Sequence, residues 1–229
     1  MHRSTCSLLT AHCSLLTAHC LLLTAHCLLL TAMKRLFDIF AATAGLLVLS
    51  PVMLFAALLI KLDSRGPVFF KQERIGKDFQ RFLIYKFRTM VEDAAHRGAA
   101  ITAGADPRIT RAGHYLRKTK FDELPQLINV LKGEMSLVGP RPEVRRYVEM
   151  FRKDYDEILK VRPGVTDLAS LKYRDEAAVL AVVKDPEQEY VVRVLPEKIK
   201  LAKQYIREAS FLFDLRLIFR TLLKVVVFG

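Results

Sequence analysis

The residues best suited to chemistry form one dense polar stretch, RKTKFDELP, at residues 117–125. Two adjacent carboxylates, Asp122 and Glu123, directly follow three cations there. Pro125 is best accommodated in the first turn of a helix, which predicts that Asp122 lies near an N-cap. Backbone N–H groups and the positive end of a helix favour anions, including a bound phosphate. Taken alone, an Asp-Glu pair at a helix start mostly serves capping and solvation, so both interpretations stay open at this point.

Further basic residues stand in motifs that suit phosphate binding. An arginine in a proline-stiffened loop presents a fork-shaped donor that matches phosphate oxygens. The loops GPRPE and VRPG each carry such an arginine, and the segment YKFRTM carries a lysine and an arginine. The candidate phosphate-binding residues are Lys86, Arg88, Arg117, Arg141 and Arg162.

Composition and motifs exclude several other chemistries. The sequence has no GxGxxG, GxxxxGK[ST], GxSxG or HExxH pattern, which excludes nucleotide cradles and hydrolase elbows of those kinds. All four cysteines lie within the first 32 residues, so the rest of the chain lacks a disulfide scaffold, a zinc-thiolate site and cysteine catalysis. The formal charge of +12 suits a polyanionic partner: nucleic acid, an anionic membrane face or phosphorylated ligands.

The first 32 residues repeat a seven-residue unit, CSLLTAH or CLLLTAH, almost without variation. A leucine heptad could form a coiled-coil seam. Selected coiled coils keep hydrophobic character and let identities vary, whereas Thr, Ala and His recur unchanged here. Translation of a short DNA repeat explains this identity better. We therefore expect residues 1–32 to be a non-functional upstream extension that precedes a start at Met33.

An uncharged apolar segment at residues 39–60 is long enough to cross a hydrocarbon core about 30 Å thick. Ser50-Pro51 lies near its centre, and proline removes a helical N–H and clashes with the preceding turn. Basic residues flank both ends, so charge asymmetry gives almost no direction to a span. A re-entrant helix-break-helix hairpin at residues 33–62 satisfies both observations, with the Ser50 hydroxyl helping to satisfy carbonyls that Pro51 frees. An ordinary kinked transmembrane helix is the alternative.

The next part of the chain, residues 63–208, predicts an α+β domain that is mainly helical. A short β-hairpin is expected from two segments rich in Phe, Ile and Tyr that flank a turn at residues 76–78. The expected strands are Val68–Gln72 and Phe82–Phe87. The expected helices are 113–131, 143–159 and 186–208, with a polar loop at 98–107.

The C-terminal segment, residues 209–229, is apolar except for Asp214 and three cations spaced four residues apart, Arg216, Arg220 and Lys224. On a helix these cations form one stripe. A charge at the bilayer centre costs about 2.5–3.5 kcal/mol, so three cations disfavour a span. We expect an interfacial amphipathic helix with its cations at lipid phosphates. A terminal helix packed on the domain core is the alternative.

From Met33 to about Phe228 the sequence resembles the bacterial sugar transferases, the monotopic phosphoglycosyl transferases that begin lipid-linked glycan assembly. The matching motifs are, in order, KRLFDI with Ser50-Pro51, GPVFFKQERIG, YKFRTM, KFDELPQLINVLKGEMSLVGPRPE, VRPGVT and SFLFDLRLIF. The long block ending in GPRP is the most specific. The resemblance implies a minimal catalytic form, anchored by a re-entrant hairpin and interfacial helices on the cytoplasmic face of the bacterial inner membrane.

The resemblance also implies a reaction and its site. A sugar-1-phosphate passes from a nucleotide sugar, usually UDP-linked, to polyprenyl (undecaprenyl) phosphate, and UMP leaves. This is the first membrane step of exopolysaccharide, O-antigen or glycoprotein glycan assembly. By position, Asp122 corresponds to the nucleophile that forms a covalent phosphosugar intermediate, and Glu123 to the residue that binds Mg²⁺. The implied partners are the donor, the acceptor and membrane lipids, with a homodimer left open.

One departure from the family pattern concerns the donor. Many members continue the PGVT motif as TG-x-x-Q-V, whereas this chain reads TDLAS at residues 166–170. That region is a candidate for recognising the sugar or the nucleotide. The identity of the donor is therefore the least determined part of the implied reaction.

Two hypotheses of other classes compete with the enzyme. A basic, hairpin-anchored adaptor at the membrane surface would explain the charge and the apolar segments, but it leaves Asp122-Glu123 and GPRP unexplained. A nucleic-acid-binding module accounts for the charge alone. The sequence has no groove-reading or base-stacking motif, so we expect no nucleic acid partner.

Overall fold

The structure, a computed structural model, describes residues 3–94, 106–173 and 176–228. It divides into two compact units, residues 1–40 and 41–229. Its helices and strands are α1 Arg3–Asp63, β1 Phe69–Ile75, β2 Arg81–Phe87, α2 Arg111–Thr119, α3 Gln126–Lys132, β3 Ser136–Val138, α4 Arg145–Met150, α5 Arg152–Ile158, β4 Gly164–Thr166, α6 Leu168–Lys172, α7 Glu176–Ala181, α8 Pro186–Glu189, α9 Leu195–Glu208 and α10 Phe211–Phe228. The expected mainly helical architecture with a short β-hairpin is confirmed. The polar loop expected at residues 98–107 lies mostly outside the described residues.

The helix break that we expected at Ser50-Pro51 is not present: α1 continues through both residues, with Pro51 inside the helix. Pro51 has no N–H to donate to the carbonyl of Leu47, which lies four residues earlier. The Ser50 hydroxyl donates to that same carbonyl at 2.8 Å. The expected rescue of a freed carbonyl by Ser50 is therefore confirmed. This side-chain bond replaces the missing backbone bond and lets helical geometry continue.

Within the second unit, α1 has one buried face and one exposed apolar face. Ala42, Ala56 and Ile60 are buried against β2, α2 and α3. The opposite face exposes large apolar side chains, including Leu47, Leu54 and Phe55. By length and composition, the helical stretch Thr31–Asp63 could cross a membrane, and only 11% of its most apolar window is buried. The helix therefore presents apolar surface that the rest of the described chain does not cover.

The predicted β-hairpin is confirmed, and its strands are longer than expected. β1 and β2 pair antiparallel, from Phe69 opposite Phe87 to Ile75 opposite Arg81. A 3₁₀ turn, Lys77–Phe79, connects them. Side chains alternate in the first part of β2, because Phe82 and Ile84 are buried whereas Leu83 between them is exposed. This alternation fixes which face of β2 points toward α1 and α3.

Two of the three predicted helices are divided. The one expected at 113–131 is interrupted after α2, where Lys120 takes the left-handed conformation at φ 61° and a 3₁₀ turn, Phe121–Glu123, follows. The one expected at 143–159 divides at Phe151, whose φ of −115° and ψ of 38° are not helical. Apolar periodicity runs through both interruptions and so predicts continuous helices, although Pro125 marks the start of a new helix after the first one. The helix expected at 186–208 is confirmed, with a π-helical turn, Tyr190–Val194, inside it.

Two glycines bring the loops GPRP and RPG together. β3 and β4 pair parallel, and Gly139 and Gly164 meet at the end of this pair. A Cβ on Gly164 would lie 2.1 Å from the backbone nitrogen of Gly139, a separation that atoms do not adopt. Only glycine permits this approach of the two backbones. The loop that carries Arg141 is therefore held against the strand that follows Arg162.

The C-terminal helix α10 packs on the core with one face, which confirms the alternative for that face. Leu217 and Asp214 are buried, and the Tyr205 hydroxyl donates to Asp214 Oδ1 at 2.8 Å. The other face exposes Leu212, Phe219 and Leu222. The three cations of the predicted stripe, Arg216, Arg220 and Lys224, are exposed, and Lys224 Nζ donates to the Leu171 carbonyl at 2.7 Å. The interfacial role of α10 stays a prediction.

Candidate active site

Three elements bring their polar residues to one place in the second unit. Lys86 comes from β2, and Asp122 and Glu123 come from the 3₁₀ turn between α2 and α3. Arg141 comes from the loop after β3. Asp122 does not occupy the N-cap of α3, since that position belongs to Pro125. The left-handed Lys120 ends α2 and turns the chain, so that the two carboxylates face the hairpin and the loop.

Glu123 is the centre of this ion cluster. Its Oε1 accepts a hydrogen bond from Lys86 Nζ at 2.7 Å. Arg141 binds the same carboxylate with both terminal nitrogens, Nη1 to Oε2 at 3.2 Å and Nη2 to Oε1. Burial alone would raise the pKa of Glu123, but the charges of Arg141 and Lys86 outweigh it and hold this pKa well below the usual range. Glu123 is therefore an anion clamped between two cations.

Asp122 differs from its neighbour in lacking such a clamp. Its Oδ1 is buried and has no hydrogen-bond partner among the described residues. Burial, and then the negative charge of Glu123, raise the pKa of Asp122, while Lys86, Lys120 and Arg117 oppose the rise. The two adjacent carboxylates are thus driven in opposite directions. Of the two carboxylates, Asp122 therefore has the oxygen that is not already held by a cation.

Asn129 fixes the position of Lys86 relative to the carboxylates. It is fully buried on α3, where its Oδ1 accepts from the Tyr85 amide at 3.0 Å. Its Nδ2 donates to the Leu83 carbonyl at 2.7 Å. Asn129 thereby bonds to the edge of β2 just before Lys86 and ties this strand to α3. Burial lowers the pKa of Lys86, and the charge of Glu123 opposes that change, so Glu123 stabilises the charged form of the lysine.

The loop that presents Arg141 is anchored at both ends. The Gly139 amide donates to the Thr166 carbonyl at 3.1 Å. Beyond Arg141, the buried Glu143 accepts from the Tyr190 hydroxyl at 2.7 Å. The charge of Glu123 raises the pKa of Arg141, so its guanidinium stays charged at any accessible pH. Arg141 is therefore a permanent cation held by a braced loop.

The other three predicted phosphate-binding residues, Arg88, Arg117 and Arg162, form hydrogen bonds to other parts of the fold. Arg117 lies close enough for the charge of Asp122 to act on it, and its Nε donates to Thr89 Oγ1 at 2.8 Å. Arg88 is buried at the end of α1, where it donates to the carbonyls of Ser64 and Arg65. Arg162 is exposed and its Nε donates to the Gly133 carbonyl, at the end of α3. Arg88 and Arg162 thus hold helix ends, and their predicted contact with phosphates stays a prediction.

The donor atoms of this cluster suit Mg²⁺ only together with a substrate. Mg²⁺ prefers oxygen ligands and is commonly bound through one or two carboxylates plus substrate phosphates. Glu123 supplies such a carboxylate, and its low pKa keeps it ionised. The described residues contain no group of three or more His, Cys, Asp or Glu that could hold a metal by itself. The residues therefore fit a Mg²⁺ ion that shares its coordination with phosphate.

Sequence reasoning missed the residues that brace the cluster. Asn129 lies in the apolar run QLINVL, where an amide on a buried face is a signal that could have revealed it. Glu143 directly follows the GPRP motif, so its place was visible but its buried partner was not. Tyr190 lies 47 residues further along the chain, and no local pattern connects it with Glu143. Only the packing of α4, α5 and α9 brings these two together.

Comparison with known proteins gives consistent matches over most of the chain. The family model described as bacterial sugar transferase matches residues 29–228. The exopolysaccharide production protein PSS of Rhizobium leguminosarum bv. phaseoli is 41% identical over 207 residues, which cover 86% of this chain and 96% of that protein. The UDP-N-acetylgalactosamine-undecaprenyl-phosphate N-acetylgalactosaminephosphotransferase of Aeromonas hydrophila is 39% identical over 199 residues, 85% of this chain and 44% of that protein.

A third relative repeats this difference in length. The UDP-glucose:undecaprenyl-phosphate glucose-1-phosphate transferase of Escherichia coli (strain K12) is 38% identical over 196 residues, 84% of this chain and 40% of that protein. The chain thus spans less than half the length of the Aeromonas and Escherichia relatives and nearly all of the Rhizobium one. The family match covers the ion cluster and every element that positions it. The chain belongs to the bacterial sugar transferase family.

Proposed function

We propose that this chain transfers a sugar-1-phosphate from a nucleotide sugar to undecaprenyl phosphate, through a covalent intermediate on Asp122. The observation that carries the proposal is the buried, unpartnered Oδ1 of Asp122 beside the ion cluster of Glu123, Lys86 and Arg141. The names of the relatives support a transferase acting on undecaprenyl phosphate. Two of those names contain a UDP-sugar, which supports a UDP-linked donor and UMP as the leaving group.

In the first half of the reaction, an Asp122 oxygen attacks the phosphorus that carries the sugar. A bond forms between that oxygen and phosphorus, and the bond from phosphorus to the bridging oxygen breaks. UMP leaves with the bridging oxygen and its electron pair. The raised pKa of Asp122 makes this carboxylate a stronger base than an exposed aspartate, and the charges of Lys86, Lys120 and Arg117 favour its ionised form.

In the second half, a phosphate oxygen of the polyprenyl acceptor attacks the same phosphorus and releases Asp122. Lys86 and Arg141 bind Glu123 beside Asp122, and with substrate bound they would face the negative charge of the phosphate oxygens. Fixed cations of this kind stabilise a phosphoryl transition state because they need no reorganisation. Glu123 would hold Mg²⁺, and the bound ion would neutralise part of the negative charge on the donor diphosphate.

The faces of α1 support a monotopic attachment to the membrane. Residues 42–60 of this helix lie against β2, α2 and α3 along about 27 Å of helix, at 1.5 Å per residue. A helix that is covered by protein along one side for that length cannot be surrounded by lipid, as a lone span would be. Its exposed apolar face and that of α10 would enter one leaflet. We place the catalytic unit on the cytoplasmic face of the inner membrane, where nucleotide sugars are available, and leave a homodimer as a further proposal.

The test measures UMP release and the covalent intermediate separately. Purified protein with Mg²⁺ and a panel of UDP-sugars, but without acceptor, should release at most one UMP per active site. The expected adduct is one sugar phosphate on the peptide that contains Asp122. Asp122→Asn should give neither product, whereas Asp156→Asn, a change at an exposed helix carboxylate, should match the wild type. Absence of UMP release with every donor would favour the membrane-surface adaptor and overturn the proposal.

A further inference from the structure

A buried network stands behind the loop that carries Arg141. At its centre is the carboxylate of Glu143, which is 7% exposed. Its Oε1 accepts from the Tyr190 hydroxyl at 2.7 Å, and its Oε2 pairs with Arg74 Nη1 at 3.3 Å. The Glu143 carbonyl also accepts from the Ile75 amide at 3.0 Å, at the end of β1. Glu143 is therefore fixed by its side chain and by its backbone.

Tyr190 is itself held rigidly. It begins the π-helical turn before α9 and is 4% exposed. Its ring packs against Tyr147 with centroids 5.0 Å apart, and Lys198 Nζ lies 4.8 Å over the ring. Burial and the charge of Glu143 raise the pKa of Tyr190, so its hydroxyl stays protonated and donates a hydrogen bond to the carboxylate. The Tyr190 hydroxyl therefore acts as a constant hydrogen-bond donor to Glu143.

The loop between these anchors has few other ways to hold its shape. Arg141 is flanked by Pro140 and Pro142, which have no N–H to donate. The Pro140 carbonyl accepts from the Gly164 amide at 2.9 Å, and the Pro142 carbonyl accepts from Arg74 Nη1 at 3.2 Å. The second of these bonds comes from the same arginine that pairs with Glu143. The end of the loop after Arg141 thus depends on the network around Glu143.

We propose that Tyr190 is a positioning residue for the transfer reaction. Its hydroxyl fixes Glu143, and Glu143 fixes the loop that aims the Arg141 guanidinium at Glu123. The proposal rests on the proposed function, because it assigns a role within that reaction. The hydrogen bonds and ring contacts of Tyr190 in the described part of the chain are with Glu143, Tyr147 and Lys198. Any effect on the ion cluster therefore passes through Glu143 to Arg141.

The first test compares Tyr190→Phe with Tyr147→Phe. Both changes remove one hydroxyl from the same aromatic pair, and of these two hydroxyls it is that of Tyr190 that bonds Glu143. Displacement of a catalytic group by about 1 Å can lower a rate by about 100-fold, so we expect Tyr190→Phe to lower kcat about 10- to 100-fold. Tyr147→Phe should change kcat less than about twofold, as expected for a change outside the network. Equal kcat values in the two variants would overturn the proposal.

A double substitution tests whether the effect passes through Arg141. In an Arg141→Lys background the fork that binds Glu123 is absent, so Tyr190→Phe should lower kcat by less than about twofold. A loss as large as in the wild-type background would mean that Tyr190 acts elsewhere and would overturn the proposal. If Tyr190→Phe does not fold, Glu143→Gln serves instead, because it keeps an acceptor oxygen and removes the charge that binds Arg74. Full kcat in Glu143→Gln would also overturn the proposal.

A third measurement does not depend on transfer activity. Hydrogen exchange of the Ile75 amide reports on its bond to the Glu143 carbonyl. Tyr190→Phe should speed this exchange at least about tenfold, because loss of one ordinary hydrogen bond lowers the free energy of local opening enough to raise exchange by about that factor. Tyr147→Phe should leave the exchange rate unchanged. Unchanged exchange in Tyr190→Phe would overturn the positioning role. If the wild type shows no transfer with any donor, the proposed function fails, while this exchange still decides whether Tyr190 holds the loop.

Discussion

Asp122→Asn and Glu123→Gln each neutralise one of the two adjacent carboxylates. We expect both to stop the reaction, but we expect the first to raise the free energy of unfolding and the second to lower it. Asp122 has a buried oxygen without a partner and faces the charge of Glu123. Its ionised form therefore destabilises the fold, and Asp122→Asn removes a charge but keeps the shape. Since an unsatisfied buried polar group costs about 1–3 kcal/mol and the amide relieves only part of this, we expect a gain of about 1 kcal/mol.

Glu123→Gln should have the reverse effect. The glutamate carboxylate bonds Lys86 and Arg141, and their side chains are 18% and 31% exposed. Loss of the anion leaves two partly buried cations without their counter-charge. Hydrogen bonds between charged groups contribute about 1.5–3 kcal/mol each, and partial exposure reduces that value, so we expect a loss of about 3 kcal/mol in total.

The signs also follow from the pKa shifts. The pKa of Asp122 is raised on folding, so its contribution is present at low pH and is lost as the pH rises through the raised pKa. The pKa of Glu123 is lowered on folding, so its contribution is present at neutral pH and is lost only as the pH falls through the lowered pKa. At neutral pH, Asp122 thus opposes folding and Glu123 favours it.

The assay is thermal unfolding in detergent at neutral pH, followed by circular dichroism at 222 nm. For a domain of this size, about 1 kcal/mol shifts Tm by about 2–4 °C, so Asp122→Asn should unfold about 2–4 °C higher and Glu123→Gln about 6–12 °C lower. Asp156→Asn, at an exposed carboxylate, should leave Tm unchanged within error. A lower Tm for Asp122→Asn, or shifts of the same sign in both variants, would refute the account of this site as one strained and one clamped carboxylate.

Three further changes test the pH dependence, the loop contact and the membrane segment. The single-turnover rate of UMP release should fall as the pH drops through the raised pKa of Asp122, and an acid limb in the range of an exposed aspartate would contradict this assignment. Gly164→Ala should prevent folding or lower Tm by more than about 10 °C, since its Cβ would lie 2.1 Å from the Gly139 nitrogen. Gly45→Ala meets only a flexible side chain at 3.2 Å and should be tolerated, and comparable loss in the two alanine variants would argue against the backbone contact. Replacement of Ser50-Pro51 by Ala-Leu should leave the segment on one side of the membrane, because α1 is already continuous at Pro51 and its buried face stays covered by β2, α2 and α3. In a chain that starts at Met33 and therefore has no other thiol, an impermeant thiol reagent should label a cysteine placed next to Met33 only in opened cells, with or without that replacement, and labelling in intact cells would exclude the monotopic attachment.

Much of this protein can be predicted from short stretches of sequence. The Asp122-Glu123 pair, the two proline-stiffened arginine loops and the uncharged apolar segment are each visible within a few residues. So is the role of Ser50, because a hydroxyl beside a proline lies within reach of the carbonyl that the proline leaves free. These features depend on bond geometry and residue type over one or two helical turns. The sequence by itself therefore determined which groups could do chemistry and which segment could meet lipid.

The tertiary structure decided which of the five candidate cations meet the carboxylates. Lys86 and Arg141 bind Glu123, whereas Arg88 and Arg162 bind carbonyls at the ends of α1 and α3. Nothing local distinguishes these arginines and this lysine, because each is a long cation in a basic chain. The choice follows from long-range packing: a buried Asn129 ties β2 to α3, and the approach of two glycine backbones sets the loop that carries Arg141. The division of roles between Asp122 and Glu123 has the same origin, since the pKa of each carboxyl depends on charges and burial that only the folded chain provides.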